Sequence, residues 1–231
     1  MTAVRMEGKM VVAVVLVSLF FFVAIEAIGL ILKRREAPAV EVQKVTPFSD
    51  IHLPKGLFVD EGHSWAWLTE SGELRLGVDE FLSQAVGGID SIELPAVGSP
   101  VSKGEPLATV QCSGREMILT SPVNGTVVAT NDTVKLSPEA IEEDPYGAGW
   151  LASVWPVEHT EALKSLKVGE KATAWLENEV QRFVEFLAGR TSPELVGATL
   201  PDGARPVIGA ALALDDEGWQ VFRKDFVETS S

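Results

Sequence analysis

Few side chains in this 231-residue chain could do covalent or acid–base chemistry. It has a single cysteine, Cys112, a single tyrosine, Tyr146, and three histidines, His52, His63 and His159. A thiolate nucleophile needs a lowered pKa, and Arg115 is the only cation near Cys112 in sequence. Cys112 therefore reads as a small, half-buried strand residue. The histidines are far apart and show neither HxxxH nor HExxH spacing, so no metal site is expected. One cysteine permits no internal disulfide. No nucleophile with a paired base, no carboxylate pair at a recognisable spacing and no phosphate-cradling loop appears, since Gly87-Gly88 is too short for one. The chain is not expected to be an enzyme.

The charge distribution narrows the partners. Residues 1–44 carry six Lys/Arg against four Glu, a balance of +2, so the remainder holds −16 of the overall −14. Phosphate neutralisation by such an acidic portion is ruled out, and nucleic acid is not an expected partner.

The elements that must position these residues follow from patterning. Met10 to Leu32 is almost wholly apolar and long enough to cross a bilayer as one helix. It exceeds a signal-peptide core, so an uncleaved single-pass anchor is expected. Lys33, Arg34 and Arg35 follow it while only Arg5 and Lys9 precede it, which favours a cytoplasmic soluble part. Glu26, inside the span, is expected near the headgroup interface or against a partner helix. The domain reading is a flank at 1–9, the membrane helix at 10–32, a proline-containing linker at 33–56, a folded domain at 57–156 and a helical extension at 157–231.

From Leu57 onward, short strand-like runs alternate with Gly and Pro turns, which predicts a mainly β core. "TESGE" is a hairpin turn at Gly72, and "SPVNG" is a strong turn signal. Val78 to Gly88 is a short helix candidate with Asp79 as N-cap and Gly87-Gly88 as its stop. Trp65, Trp67, Phe81, Trp150 and Trp155 are expected in core or edge packing. Gly169 to Arg190 has apolar residues at 172, 175, 176, 180, 183, 184 and 187, an amphipathic helix period. A second helix is expected over 215–227, capped by Asp215 or Asp216, with Trp219, Phe222 and Phe226 on one face. The two helices are expected to pair or to dock on the β core.

Four motifs, in order, resemble the glycine cleavage system H-protein family. They are "GHSWAWL" at 62–68, "LGVDEFLSQAVGGIDSIELPAVGSPVSKGEPLATV" at 76–110, "SPVNGTVVATN" at 121–131 and "SPEAIEEDPYGAGWLASVWP" at 137–156. The resemblance implies a barrel-sandwich hybrid fold of the biotinyl/lipoyl class. It also implies a lysine at a hairpin tip, lipoylated to carry an aminomethyl group between enzymes. Counted back from Ser121-Pro122-Val123, the family pattern places that lysine at position 114, where this chain has Gly114 between Ser113 and Arg115. Gln111 stands where the family usually has an acidic residue. No lysine occurs between Lys103 and Lys135. Lipoate attaches through an amide to a primary amine, and the guanidinium of Arg115 stays protonated. The expectation is a membrane-anchored, H-protein-like adaptor or complex subunit. It would bind protein partners and hold no cofactor. The rival is a lipoyl carrier, which would need lipoate on Lys103 or Lys135.

Overall fold

A computed structural model describes residues 46–191, 199–200 and 203–228. The anchor read at 10–32, with Glu26, lies outside the described residues. Among those described, no helix is long and apolar enough to cross a membrane.

The strands are β1 (Phe58–Val59), β2 (Ser64–Leu68), β3 (Leu74–Val78), β4 (Ser91–Glu93), β5 (Pro100–Val101), β6 (Pro106–Cys112), β7 (Arg115–Thr120), β8 (Gly125–Thr130), β9 (Ala152–Pro156) and β10 (Lys167–Val168). Two further short strands, β11 (Thr199–Leu200) and β12 (Gly203–Ala204), pair with each other. One antiparallel sheet runs β10-β1-β2-β3-β9-β8-β5, and a second runs β4-β6-β7. Helices are α1 (Glu80–Val86), α2 (Asp132–Leu136), α3 (Ala140–Glu143), α4 (His159–Lys164), α5 (Glu170–Ala188) and α6 (Asp216–Phe222). A 3-10 turn at Ala210–Ala213 precedes α6, and a π turn at Arg223–Val227 continues it.

Local sequence chemistry accounts for several boundaries. Asp79 accepts from the Leu82 N–H at 2.9 Å and starts α1, and Gly87 ends it at φ 59°. The β2–β3 turn uses Gly72 at φ 93°. Gly77 on β3 lies opposite Trp65 on β2, and a Cβ at 77 would sit 2.4 Å from the indole. That close approach lets Trp65 lie flat on the neighbouring strand, where it donates to the Val78 carbonyl at 2.9 Å.

The larger sheet buries Ala66, Leu74, Leu76, Val127, Ala152 and Val154 in one apolar cluster. A second, larger cluster joins the inner face of the three-stranded sheet to α1, α5 and the C-terminal segment. It contains Val110, Cys112, Met117 and Leu119 with Phe81, Phe183, Phe222 and Phe226. Apolar area removed from water is the main stabilising term here, about 1.5–3 kcal/mol for each fully buried large side chain.

The described part of the 33–56 stretch packs as part of the fold. Phe48 is buried, its ring lies 6.1 Å from Phe183 and 6.2 Å from Phe81, and its N–H donates to the Pro206 carbonyl. The prolines that obscure any periodicity there do not prevent a single aromatic from anchoring this stretch. Trp65 and Phe81 are buried as expected, but Trp67 and Trp155 are 40% and 49% exposed. Short helices α2, α3 and α4 join the single internal helix anticipated from the sequence, each too short to leave a 3.6-residue period.

Candidate functional site

The β6–β7 hairpin closes with a two-residue turn, Ser113-Gly114. Both residues have positive φ, 49° and 78°, as a type I′ turn requires. Gly114 suits that conformation, and nothing lies within 4 Å of where its Cβ would be, so the position opens to solvent. Ser113 carries a side chain into the left-handed region, at a cost of roughly 1–2 kcal/mol. Its N–H donates to the Asp90 carboxylate at 2.5 Å, which holds the tip.

Arg115 points the other way. Cys112 and Arg115 are directly opposite in the ladder, and so are Val110 and Met117, which places all four on the inner face. The Arg115 Nη2 donates to the Leu214 carbonyl, and its guanidinium stacks 5.2 Å from the Trp219 ring centroid. Asp216 lies 3.9 Å away. Cys112 is fully buried rather than half-buried, and burial pushes its thiol up to about 12. A thiol so placed is inert at neutral pH. Gln111 faces outward and its amide donates to Glu116 at 2.9 Å.

The two lysines that flank this segment are elsewhere. Lys103 sits in the turn before β6, at the opposite end of that strand from the tip. Its Nζ donates to Ser165 Oγ at 2.6 Å and lies 3.4 Å from Asp60. Lys135 is in the last turn of α2 and pairs with Asp132 at 2.9 Å.

A second polar constellation escapes sequence reasoning. His63, fully buried, has φ 60° in the turn between β1 and β2. Its Nδ1 lies 2.7 Å from Asp79 Oδ2, and its Nε2 lies 3.7 Å from Glu179 Oε2, an ion-pair distance. Arg182 donates to Glu179 at 2.5 Å. The ring stacks on Phe81 at 4.4 Å and tilts against Trp175 at 5.0 Å. Burial alone favours neutral imidazole, but Asp79 and Glu179 outweigh it and lift the His63 pKa to about 9. Glu179 is also desolvated, yet His63 and Arg182 hold its carboxyl below the ordinary carboxylate range. Two cations and two carboxylates thus form a balanced chain from the β1–β2 turn through the α1 N-cap to α5. One signal was readable: Glu179 falls at helix spacing between Leu176 and Phe183, on the apolar stripe. A charged residue there needs a buried partner.

Tyr146 makes a structural contact, accepting from the Glu80 N–H at 3.1 Å, and burial pushes its phenol pKa up. Among the described residues, no group of three or more His, Cys, Asp or Glu could hold a metal ion.

The sequence profile of the glycine cleavage H-protein family matches residues 57–179. The chain belongs to this family. The match runs beyond position 156, where the sequence reading ended the domain, and takes in the first half of α5. A probable glycine cleavage system H protein of Pyrococcus horikoshii is 37% identical over 124 residues, which is 54% of this chain and 92% of that protein. The H protein of Coprothermobacter proteolyticus is 37% identical over 100 residues, 43% of this chain and 79% of its own length. Among solved structures, an H protein from Mycobacterium marinum aligns at 30% identity with a TM-score of 0.49, covering 55% of this chain and 99% of that one. The architecture of this chain is mainly β with a C-terminal helix, and residues 180–228 lie beyond the family match.

Proposed function

We propose that this chain is a membrane-anchored H-protein-family member that works without a lipoyl group, as a protein-binding adaptor or complex subunit. The observation that carries this reading is the hairpin tip. It offers Ser113 and Gly114, neither with an amine, and the next side chain, Arg115, is turned inward onto the C-terminal segment. A swinging carrier arm needs a primary amine on an exposed turn. The tip has the exposure and lacks the amine. Lys103 and Lys135, the remaining candidates nearby in sequence, are engaged by Ser165 and Asp132 away from the tip.

The hairpin persists in this reading because it is structural. Its inner face supplies Val110, Cys112, Met117 and Leu119 to the larger apolar cluster, so its loss would open the core. Membrane attachment through residues 10–32 is part of the same proposal and rests on their apolar composition.

The test is an intact mass of the full chain produced alongside a lipoyl-attachment system, with peptide mapping across residues 103–135. The expected result is an unmodified mass for the natural sequence and a lipoyl increment for Gly114→Lys. An increment on Lys103 or Lys135 of the natural chain would restore the carrier reading. Recovery of the protein in the membrane fraction after alkaline carbonate washing checks the anchor; release into the wash would remove it.

A further inference from the structure

The C-terminal segment is held by two arginines that use it in the same way, Arg115 within the family match and Arg182 just beyond its end. Arg115, at the start of β7, donates to the Leu214 carbonyl and stacks on Trp219. Arg182, on α5, donates to the Asp225 carbonyl at 2.9 Å and stacks 4.1 Å from the Phe226 ring centroid. One clasp therefore holds the entry to α6, and the other holds the π turn that follows it. Between them Trp219, Phe222, Phe226 and Val227 are buried in the cluster that contains Cys112 and Met117. Each arginine combines a charge-assisted hydrogen bond with a cation–π contact, the planar guanidinium laying its face on the ring while its edge donates. Arg115 stands directly after the hairpin tip, so the fastening begins beside the open position 114.

We infer that Leu214–Val227 is an intramolecular cover, clasped at its two ends by Arg115 and Arg182, that holds the inner face of the β6–β7 hairpin shut. The inference does not depend on whether position 114 is the vacated attachment point, because it concerns the face behind the tip. It also gives the extension beyond the family match a specific task, that of a resident occupant of the hairpin face.

Cys112, the only thiol, reports the opening. The experiment labels it with a maleimide under native conditions and follows amide hydrogen exchange in parallel. The proteins are the full chain, Arg115→Gln, Arg182→Gln and the double variant. Local opening ahead of global unfolding is the behaviour of a separable cooperative unit. Each single substitution is expected to speed both Cys112 labelling and exchange across 214–227 by about tenfold or more. The double variant is expected to exceed either single one. In every variant the opening free energy read from Cys112 and from 214–227 should stay well below that of the β3 and β9 amides, with a weaker urea dependence. The inference is overturned if labelling is unchanged in all variants. It is equally overturned if Cys112 labelling and exchange across 214–227 show the same opening free energy and urea dependence as β3 and β9, since the segment would then open only as the whole domain unfolds. Arg182→Gln also disturbs the Glu179 pairing, so Arg115→Gln is the decisive variant for the hairpin end.

Discussion

Among the described residues, two turns force a residue other than glycine into the left-handed region: Ser113 at φ 49° and His63 at φ 60°. They share a second feature, since each adjoins a charged contact reaching toward the C-terminal part of the chain. Arg115, two residues after Ser113, meets Leu214 and Trp219, while His63 itself faces Glu179. Their surroundings differ completely. The hairpin tip opens to water and nothing crowds position 114. The His63 ring is sealed between Phe81, Trp175 and two carboxylates. The lesson concerns what each site tolerates. At the tip, loss of a side chain leaves no buried group unpaired, so a functional residue can disappear while the fold stays. At His63, loss of the ring leaves buried Asp79 without its counter-charge and Glu179 with Arg182 alone.

The largest expected effect tests that contrast directly. His63→Ala removes the central cation, leaving buried Asp79 without an ion-pair partner and Glu179 with Arg182 alone, and should cost about 3–5 kcal/mol in urea denaturation. A loss below about 1 kcal/mol would mean the network is not an energetic centre. Next comes the pH dependence. The His63 pKa is about 9 in the folded state and about 6.5 unfolded. Its contribution is therefore fully present below about pH 6.5 and is lost as pH rises through about 9. Stability should fall across that window by up to roughly 3 kcal/mol, and His63→Gln should remove the dependence. Urea midpoints at several pH values check it, and a flat profile for the natural chain would show that the ring is neutral in the folded state. Glu179 acts in the opposite direction, losing its contribution as pH falls through its depressed pKa.

Arg115→Gln should cost less, on the order of 1–2 kcal/mol globally, because Arg115 is only partly buried and its partners are one carbonyl, one ring and the exposed Asp216 carboxylate. The smallest effect belongs to the tip. Ser113→Gly relieves a left-handed serine but frees the unfolded chain, so the net change should stay within about 1 kcal/mol of zero. A larger loss would indicate that the Ser113 side chain makes a contact that matters. Thermal melts rank these two variants against His63→Ala, and any reversal of that order would undo the comparison.

Much of this was legible before any coordinates. Asp79 as a cap with Gly87 as a stop is local chemistry, because a carboxylate reaches its own helix's N–H groups within one turn. The helix at 170–188 is announced by a periodic apolar stripe, and a cap at Asp215 or Asp216 by its place before Trp219 and Phe222; Asp215 takes that role. Phe48 did not, since one aromatic in a proline-containing stretch carries no period. Nor did His63 and Glu179, whose partnership joins a β turn to a distant helix face. The exposure of Trp67 and Trp155 was likewise invisible, because alternation marks a face and does not say whether anything covers it.

The residue order by itself determined the strand–turn pattern, the caps, the family motifs and the absence of a lysine at the hairpin tip. These are short-range features, written in spacing and in which functional groups are present. Only the tertiary structure decided that Arg115 turns inward, that Cys112 is sealed, and that His63 is held between two carboxylates. Those outcomes depend on which distant surfaces meet, and on the low-polarity interior created where they do.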